Sequence, residues 1–159
     1  MRYLVISDTH GHLGQMSIPP QEGHPRVDGI ICAGDFYRDG LWLARRMGIP
    51  CFGAQGNNDH DAKAPWATFW QVHGVRLGVI HGHQWSSHKR LAGLGGLAAR
   101  HRLHVLVFGH SHQREQYRTP SALLVNPGAG FRPVDSPPSL GWLEIDTEGS
   151  LNFAWDVFH

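Results

Sequence analysis

Three apolar runs in the chain each lead into a His-x-His pair: YLVIS to His10 and His12, VRLGVI to His81 and His83, and HVLVFG to His110 and His112. Runs of this length, rich in Val, Ile, Leu and Tyr, read as buried strands. The first also carries Asp8, and two further strand-like runs have matching ends, IICAGD closing on Asp35 and PCFGAQGNND on Asn57. In open α/β sheets ligands collect in the crevice beyond the carboxyl ends of the strands. Five strands ending in Asp, His or Asn therefore constrain the chain to a fold in which those ends converge.

Abundance alone does not account for the pattern. Of the 13 histidines, His24, His60, His73, His88, His101, His104 and His159 have no such position and read as incidental. A chain of 159 residues, 41% apolar with six Trp and seven Phe, suits one globular domain spanning residues 1–159. Fourteen Lys and Arg against thirteen Asp and Glu leave a formal charge of +1, which supplies no general field for nucleic acid or membrane. Attraction for anions must then be local. The basic clusters Arg45-Arg46, Lys89-Arg90 and Arg100-His101-Arg102 fall in helix-like segments and read as solvated faces. Cys32 and Cys51 lie inside apolar runs and make no disulfide framework, which suits a reducing compartment. With no signal-peptide pattern and no run long enough for a membrane span, the expectation is a cytoplasmic protein.

The first third reads as a βαβαβ unit: a strand from MRYLVIS, a proline-rich crossover with room for a short helix at most, a strand over 28–34, a helix over 40–48 with Leu41, Trp42 and Arg45 spaced for one face, and a strand over 50–56. ATFWQVHGVRLGVIHG reads as a hairpin turning at Gly74. Residues 87–102 have Leu91, Leu94 and Ala98 at helical spacing, but Gly93, Gly95 and Gly96 make that helix either closely packed or mobile. HVLVFG, QREQYRT, ALLVNPG, LGWLEID and LNFAWDVF follow as strands. A parallel start and an antiparallel run suggest two packed sheets with helices outside.

Imidazole, carboxylate and amide oxygen together suit Mn, Fe, Zn, Co or Ni, whereas Mg and Ca prefer all-oxygen shells. Asp8, His10, Asp35, Asn57, His81, His110 and His112 exceed the needs of one ion, but two ions sharing a bridging carboxylate would use them all. Two divalent ions opposed by Asp8 and Asp35 alone keep positive charge, which suits a phosphate anion and a phosphorus-centred transition state. Hydrolysis of a phosphate ester follows. Metal binding through four histidines should weaken below roughly pH 6 to 6.5, where free imidazole is protonated.

DTHG at 8–11, AGD at 33–35, GNND at 56–59, HGH at 81–83 and GHSH at 109–112 resemble the motifs of the calcineurin-like metallophosphoesterase superfamily. The length, the NPG at 126–128 and the β-rich tail look most like its small YfcE-like phosphodiesterases. The resemblance implies a four-layer αββα sandwich of two mixed β-sheets, with two divalent transition-metal ions, manganese first and iron, nickel, cobalt or zinc as alternatives. Carried over by motif, it implies that Asp8, His10 and His112 hold one ion, that Asn57, His81 and His110 hold the other, and that Asp35 bridges them. It puts Asp35, Asn57, His81 and His110 at the catalytic centre, with a metal-bridging hydroxide as the family's nucleophile. His12 and His83 match no family ligand and read as rim residues. Trp85 could stack on a base or pack in the core. Many members place His after the Asn of the GN motif, where it protonates the leaving group; here Asn58 stands there and supplies no proton, which favours small phosphodiesters over monoesters. Asp59 then reads as a turn or capping residue. The partners implied are a phosphodiester substrate and phosphate, while the same site would also serve a phosphomonoesterase or nuclease. A retromer subunit of this fold that binds partner proteins offers a scaffold alternative.

Overall fold

The computed structural model describes residues 1–16, 18, 25–60 and 63–158. Two five-stranded sheets form the centre. In the first, β1 (Arg2–Ile6), β2 (Gly29–Cys32) and β3 (Cys51–Gly53) are parallel, and β9 (Ser139–Ile145) and β10 (Leu151–Val157) add antiparallel strands, in the order β10-β9-β1-β2-β3. The second sheet contains β4 (Ala67–Val72), β5 (Val75–Ile80), β6 (Val105–Val107), β7 (Arg114–Arg118) and β8 (Leu123–Pro127), in the order β4-β5-β6-β8-β7. Here β5, β6 and β8 are parallel and the edges β4 and β7 antiparallel. The expected antiparallel run after His104 is thus broken by the parallel pairing of β6 with β8.

The strands alternate between two cores. Tyr3 and Val5 join Ile31, Val79, Val107 and Val125 between the sheets, while Leu4 and Ile6 face Leu43 and Ala44 of helix α1 (Tyr37–Met47). On the far side, Ile80, Leu106 and Leu124 pack against Leu94, Leu97 and Ala98 of helix α2 (Ser87–Arg100). Burial on both faces explains why β1, β2 and β6 read as continuous apolar runs. The layers are helix, sheet, sheet, helix.

Several local expectations need correction. The described part of the first crossover contains a 3-10 turn, Leu13–Gln15, in keeping with a connection that has room for a short helix at most; Ser17 and residues 19–24, with His24, lie outside the described residues, as does His159. Helix α1 starts three residues before the expected 40 because its cap comes from elsewhere in the chain. Phe36 at its N-terminus makes no side-chain cap; instead Asp59 Oδ1 accepts the N–H groups of Phe36 and Tyr37, each at 2.9 Å. The buried face of α1 runs through Gly40, Leu43 and Ala44, leaving Trp42 exposed beneath Arg46. Leu91 of α2 is likewise exposed. The glycine-rich helix is closely packed at one point: a Cβ on Gly93 would stand 2.3 Å from the Trp85 ring. In the hairpin, His73 and Gly74 both have left-handed backbones, as a tight two-residue turn between twisted strands requires.

Candidate metal centre

Parallel strands bring their C-terminal ends to one edge, so the segments after β1, β2 and β3 face those after β5 and β6. All seven candidate residues meet there. His10 Nε2 lies 3.6 Å from Asp35 Oδ2, and His112 Nε2 lies 3.3 Å from Asp8 Oδ1, within ion-pair reach but out of hydrogen-bond alignment. Asp8, His10, Asp35 and His112 form one cluster whose ligand atoms are all within 4.8 Å of one another. Asn57 Oδ1 is 3.1 Å from both His81 Nε2 and His110 Nδ1, and His81 Nε2 is 3.4 Å from Asp35 Oδ1. Asp35 therefore belongs to both groups. Ligands about 2.1 Å from a shared ion stand roughly 3–3.5 Å apart, so these separations fit metal coordination. Asp8 Oδ1 and His10 Nε2 are also buried without a hydrogen-bond partner among the described residues, as donor atoms kept for a cation would be.

Neighbouring groups fix the orientation of these side chains. A carbonyl can only accept, so His81 Nδ1 donates to Ala33 O (2.6 Å) and His112 Nδ1 donates to Arg132 O (2.9 Å), which turns each Nε2 toward the cluster. Asp35 is held by Asn58, whose backbone N–H donates to Oδ1 at 2.9 Å and whose side-chain amide donates to Oδ2 at 2.7 Å. A Cβ on Gly56 would come within 2.1 Å of Asp35, and one on Gly109 within 2.8 Å of Asp8 Oδ2, so both glycines admit a carboxylate. The Asn of the NPG segment, Asn126, is fully buried and donates to Gly109 O and Ser111 Oγ, bracing the loop that carries His110 and His112.

Five of the seven, Asp8, His10, Asp35, His110 and His112, have left-handed backbones with φ between 47° and 70°. Only ten non-glycine residues among those described do so, and half of them are here. Such conformations are costly for non-glycine residues and concentrate at functional sites.

Electrostatics divides the histidines. Burial, then the His81 and Arg90 charges, pushes His110 below the usual imidazole range, and burial with His81 does the same to His83. His112 moves the other way, to about 9, because its contact with Asp8 outweighs burial. Burial would raise Asp8, but His112, His81 and Ser7 together pull its carboxyl below the usual range.

Other sequence expectations fare unevenly. His12 is not a solvent-facing rim residue: its ring stacks on Phe131 at 3.6 Å, and Nδ1 donates to His10 O. His83 is also turned inward, 5.4 Å from the His81 ring, with Nδ1 buried. Trp85 packs on Gly93. Asp59 caps α1 as described, and its Oδ2 accepts from Gly56 N at 2.8 Å. Arg90, expected in solvent, folds back to donate to Gly82 O at 3.1 Å and contributes charge at His110. Its place four residues into a helix that starts beside the HGH motif was the available signal.

A model of the calcineurin-like phosphoesterase superfamily domain matches residues 1–148. The chain belongs to this superfamily. It is 30% identical over 152 residues to a probable metallophosphoesterase of Methanothermobacter thermautotrophicus, covering 91% of this chain and 86% of that one. A probable metallophosphoesterase of Mycoplasma pneumoniae is 29% identical over 132 residues, covering 80% and 78%. Two solved superfamily-like folds span almost the whole chain. An archaeal phosphodiesterase superposes with a TM-score of 0.75 at 20% identity, covering 99% of this chain and 100% of that one. Wild-type Vps29 of Entamoeba histolytica, solved with zinc, gives 0.71 at 22% identity with both chains fully covered. Among the described residues no helix is long and apolar enough to cross a membrane.

Proposed function

We propose that this superfamily member is a dinuclear-metal-dependent phosphodiesterase acting on small phosphodiesters, nucleotide-derived ones among them. The observation that carries the reading is the pair of four-residue groups sharing Asp35. In this reading Asp8, His10, Asp35 and His112 hold one divalent ion and Asp35, Asn57, His81 and His110 the other, with manganese first and iron, nickel, cobalt or zinc as alternatives. When bound, the ions supply positive charge for the phosphoryl oxygens and a water acidified toward neutrality. The protein's part is to fix the donors: Ala33 O and Arg132 O set the tautomers, and Asn58 holds the bridging carboxylate so that each oxygen keeps a lone pair for metal. With its amide committed to Asp35, Asn58 delivers no proton to a leaving group, which leaves aryl and other good leaving groups on diesters as the favoured class. Two free cysteines, Cys32 buried and Cys51 partly buried with its thiol pushed up to about 12 by desolvation, suit a reducing cytoplasmic compartment.

Assay of the metal-loaded protein on bis(4-nitrophenyl) phosphate and on an alkyl phosphomonoester tests the reading. Turnover of the diester should dominate and should vanish on chelation; two bound ions without turnover of either ester would instead favour a binding protein. A second expectation concerns the grip on Asp35. Asn58→Ala removes one of its two donors and should weaken metal affinity about 10- to 100-fold, as loss of an outer-shell partner typically does. Competition with a chelating dye measures this, and an unchanged affinity would show that the amide does not position Asp35.

A further inference from the structure

The two phenylalanine rings beside the metal centre each carry a guanidinium. Phe131 stacks on His12 at 3.6 Å and has the Arg132 guanidinium 5.1 Å from its centroid, while Phe36 carries the Arg38 guanidinium at 4.5 Å. Both rings border His10, at 5.6 Å for Phe36 and 6.1 Å for Phe131. What this rim presents is therefore positive charge.

Arg38 opens on a recess of about 340 Å³ walled by Phe36, Tyr37, Arg38, Asn58, Asp59 and His60. Asn58 joins this recess to the metal centre, because it is part of the recess wall and its side-chain amide donates to Asp35. The nearby carboxylates are committed elsewhere. Asp59 accepts three backbone N–H groups, from Phe36, Tyr37 and Gly56, and Asp39 accepts from Thr9 and Gly11. Among the described residues no carboxylate lies within ion-pair distance of Arg38. A guanidinium with no carboxylate partner among the described residues, an imidazole and the Asn58 residue thus line a cavity near the small end of ligand pockets, which run from about 300 to 1,000 Å³. That donor set matches a tetrahedral oxyanion, for which the forked guanidinium is well suited.

We propose that this recess is a subsite for a second phosphate group on the substrate, and that Arg38 selects for it. The proposal rests on the phosphodiesterase reading and narrows it to diesters, such as nucleotide fragments, that carry another phosphate one sugar unit from the bond cleaved.

Two substrates differing in one group test it: thymidine 5′-(4-nitrophenyl phosphate) with and without a 3′-phosphate. The ratio of their kcat/KM values is the readout. The phosphorylated substrate should be favoured about tenfold, the worth of one charge-assisted contact, and Arg38→Gln should bring the ratio to within about twofold of one. Arg132→Gln removes the same charge from the other ring beside His10 and should preserve the ratio. A ratio near one in the unaltered protein, an unchanged ratio in Arg38→Gln, or equal collapse in Arg132→Gln would overturn the subsite. If neither diester is hydrolysed, the phosphodiesterase reading fails, and calorimetry then decides the subsite. Thymidine 3′,5′-bisphosphate should bind more tightly than thymidine 5′-phosphate, with the preference lost in Arg38→Gln; equal affinities would overturn it.

Discussion

Asp35→Asn should empty both metal positions at once and lower phosphodiesterase activity by about a thousandfold or more, the scale on which electrostatic stabilisation of a transition state is lost. Asp35 is the one carboxylate that both donor groups share, lying near His10 on one side and His81 on the other. Asparagine is the informative substitution. It keeps the volume of a residue that is only 2% exposed, and it tolerates the left-handed backbone at φ 49°, whereas alanine there would add strain. Circular dichroism should show the fold intact. Elemental analysis that still found two ions per chain would show that Asp35 does not bridge.

Metal binding should release about one proton per chain at pH 7.5, and affinity should fall about tenfold for each pH unit between 8 and 6. The proton belongs to His112. Its contact with Asp8 raises it to about 9, so in the metal-free protein Nε2 is protonated at neutral pH and must lose that proton to bind a metal. His110 is shifted down and has none to give. From free imidazole alone the weakening would begin only near pH 6 to 6.5; the Asp8 contact moves its onset upward by more than two units. Stability of the metal-free fold has the opposite sign. The raised pKa means that the His112–Asp8 contribution is complete below the unfolded value of about 6.5 and is lost as pH rises through about 9. Calorimetry in buffers of different ionisation enthalpy measures the proton count, and a count near zero at pH 7.5 would refute the assignment.

The parts of the fold and site that could be read from the residues were those set by local pattern. Buried strands announce themselves by apolar runs, and polar residues just past them mark where the strand ends meet. The features that escaped depend on contacts between distant segments. The cap that starts α1 early comes from Asp59, twenty-two residues beyond Tyr37. Asn58 looked like a vacant proton-donor position because its neighbour in sequence is Asn57; only the fold turns its amide on to Asp35. His12 and Arg90 looked solvated for the same reason, and each proves to hold the backbone of an adjoining motif, at His10 O and Gly82 O. The inward face of α1 escapes the apolar pattern because Gly40 has no side chain to register in it, yet its missing Cβ is what lets the helix approach Cys32.

The left-handed backbones at Asp8, His10, Asp35, His110 and His112 set the chain's robustness against its chemistry. Each such conformation costs an L-residue roughly 1 kcal/mol, so the five together withhold up to about 5 kcal/mol, comparable to the low end of a domain's whole net stability. Glycine at any of the five would relax the backbone while deleting a donor. In backbone terms, losing the chemistry is therefore downhill for this fold, set against the His112–Asp8 contact and the hydrogen bonds on Asp35 that depart with the donors.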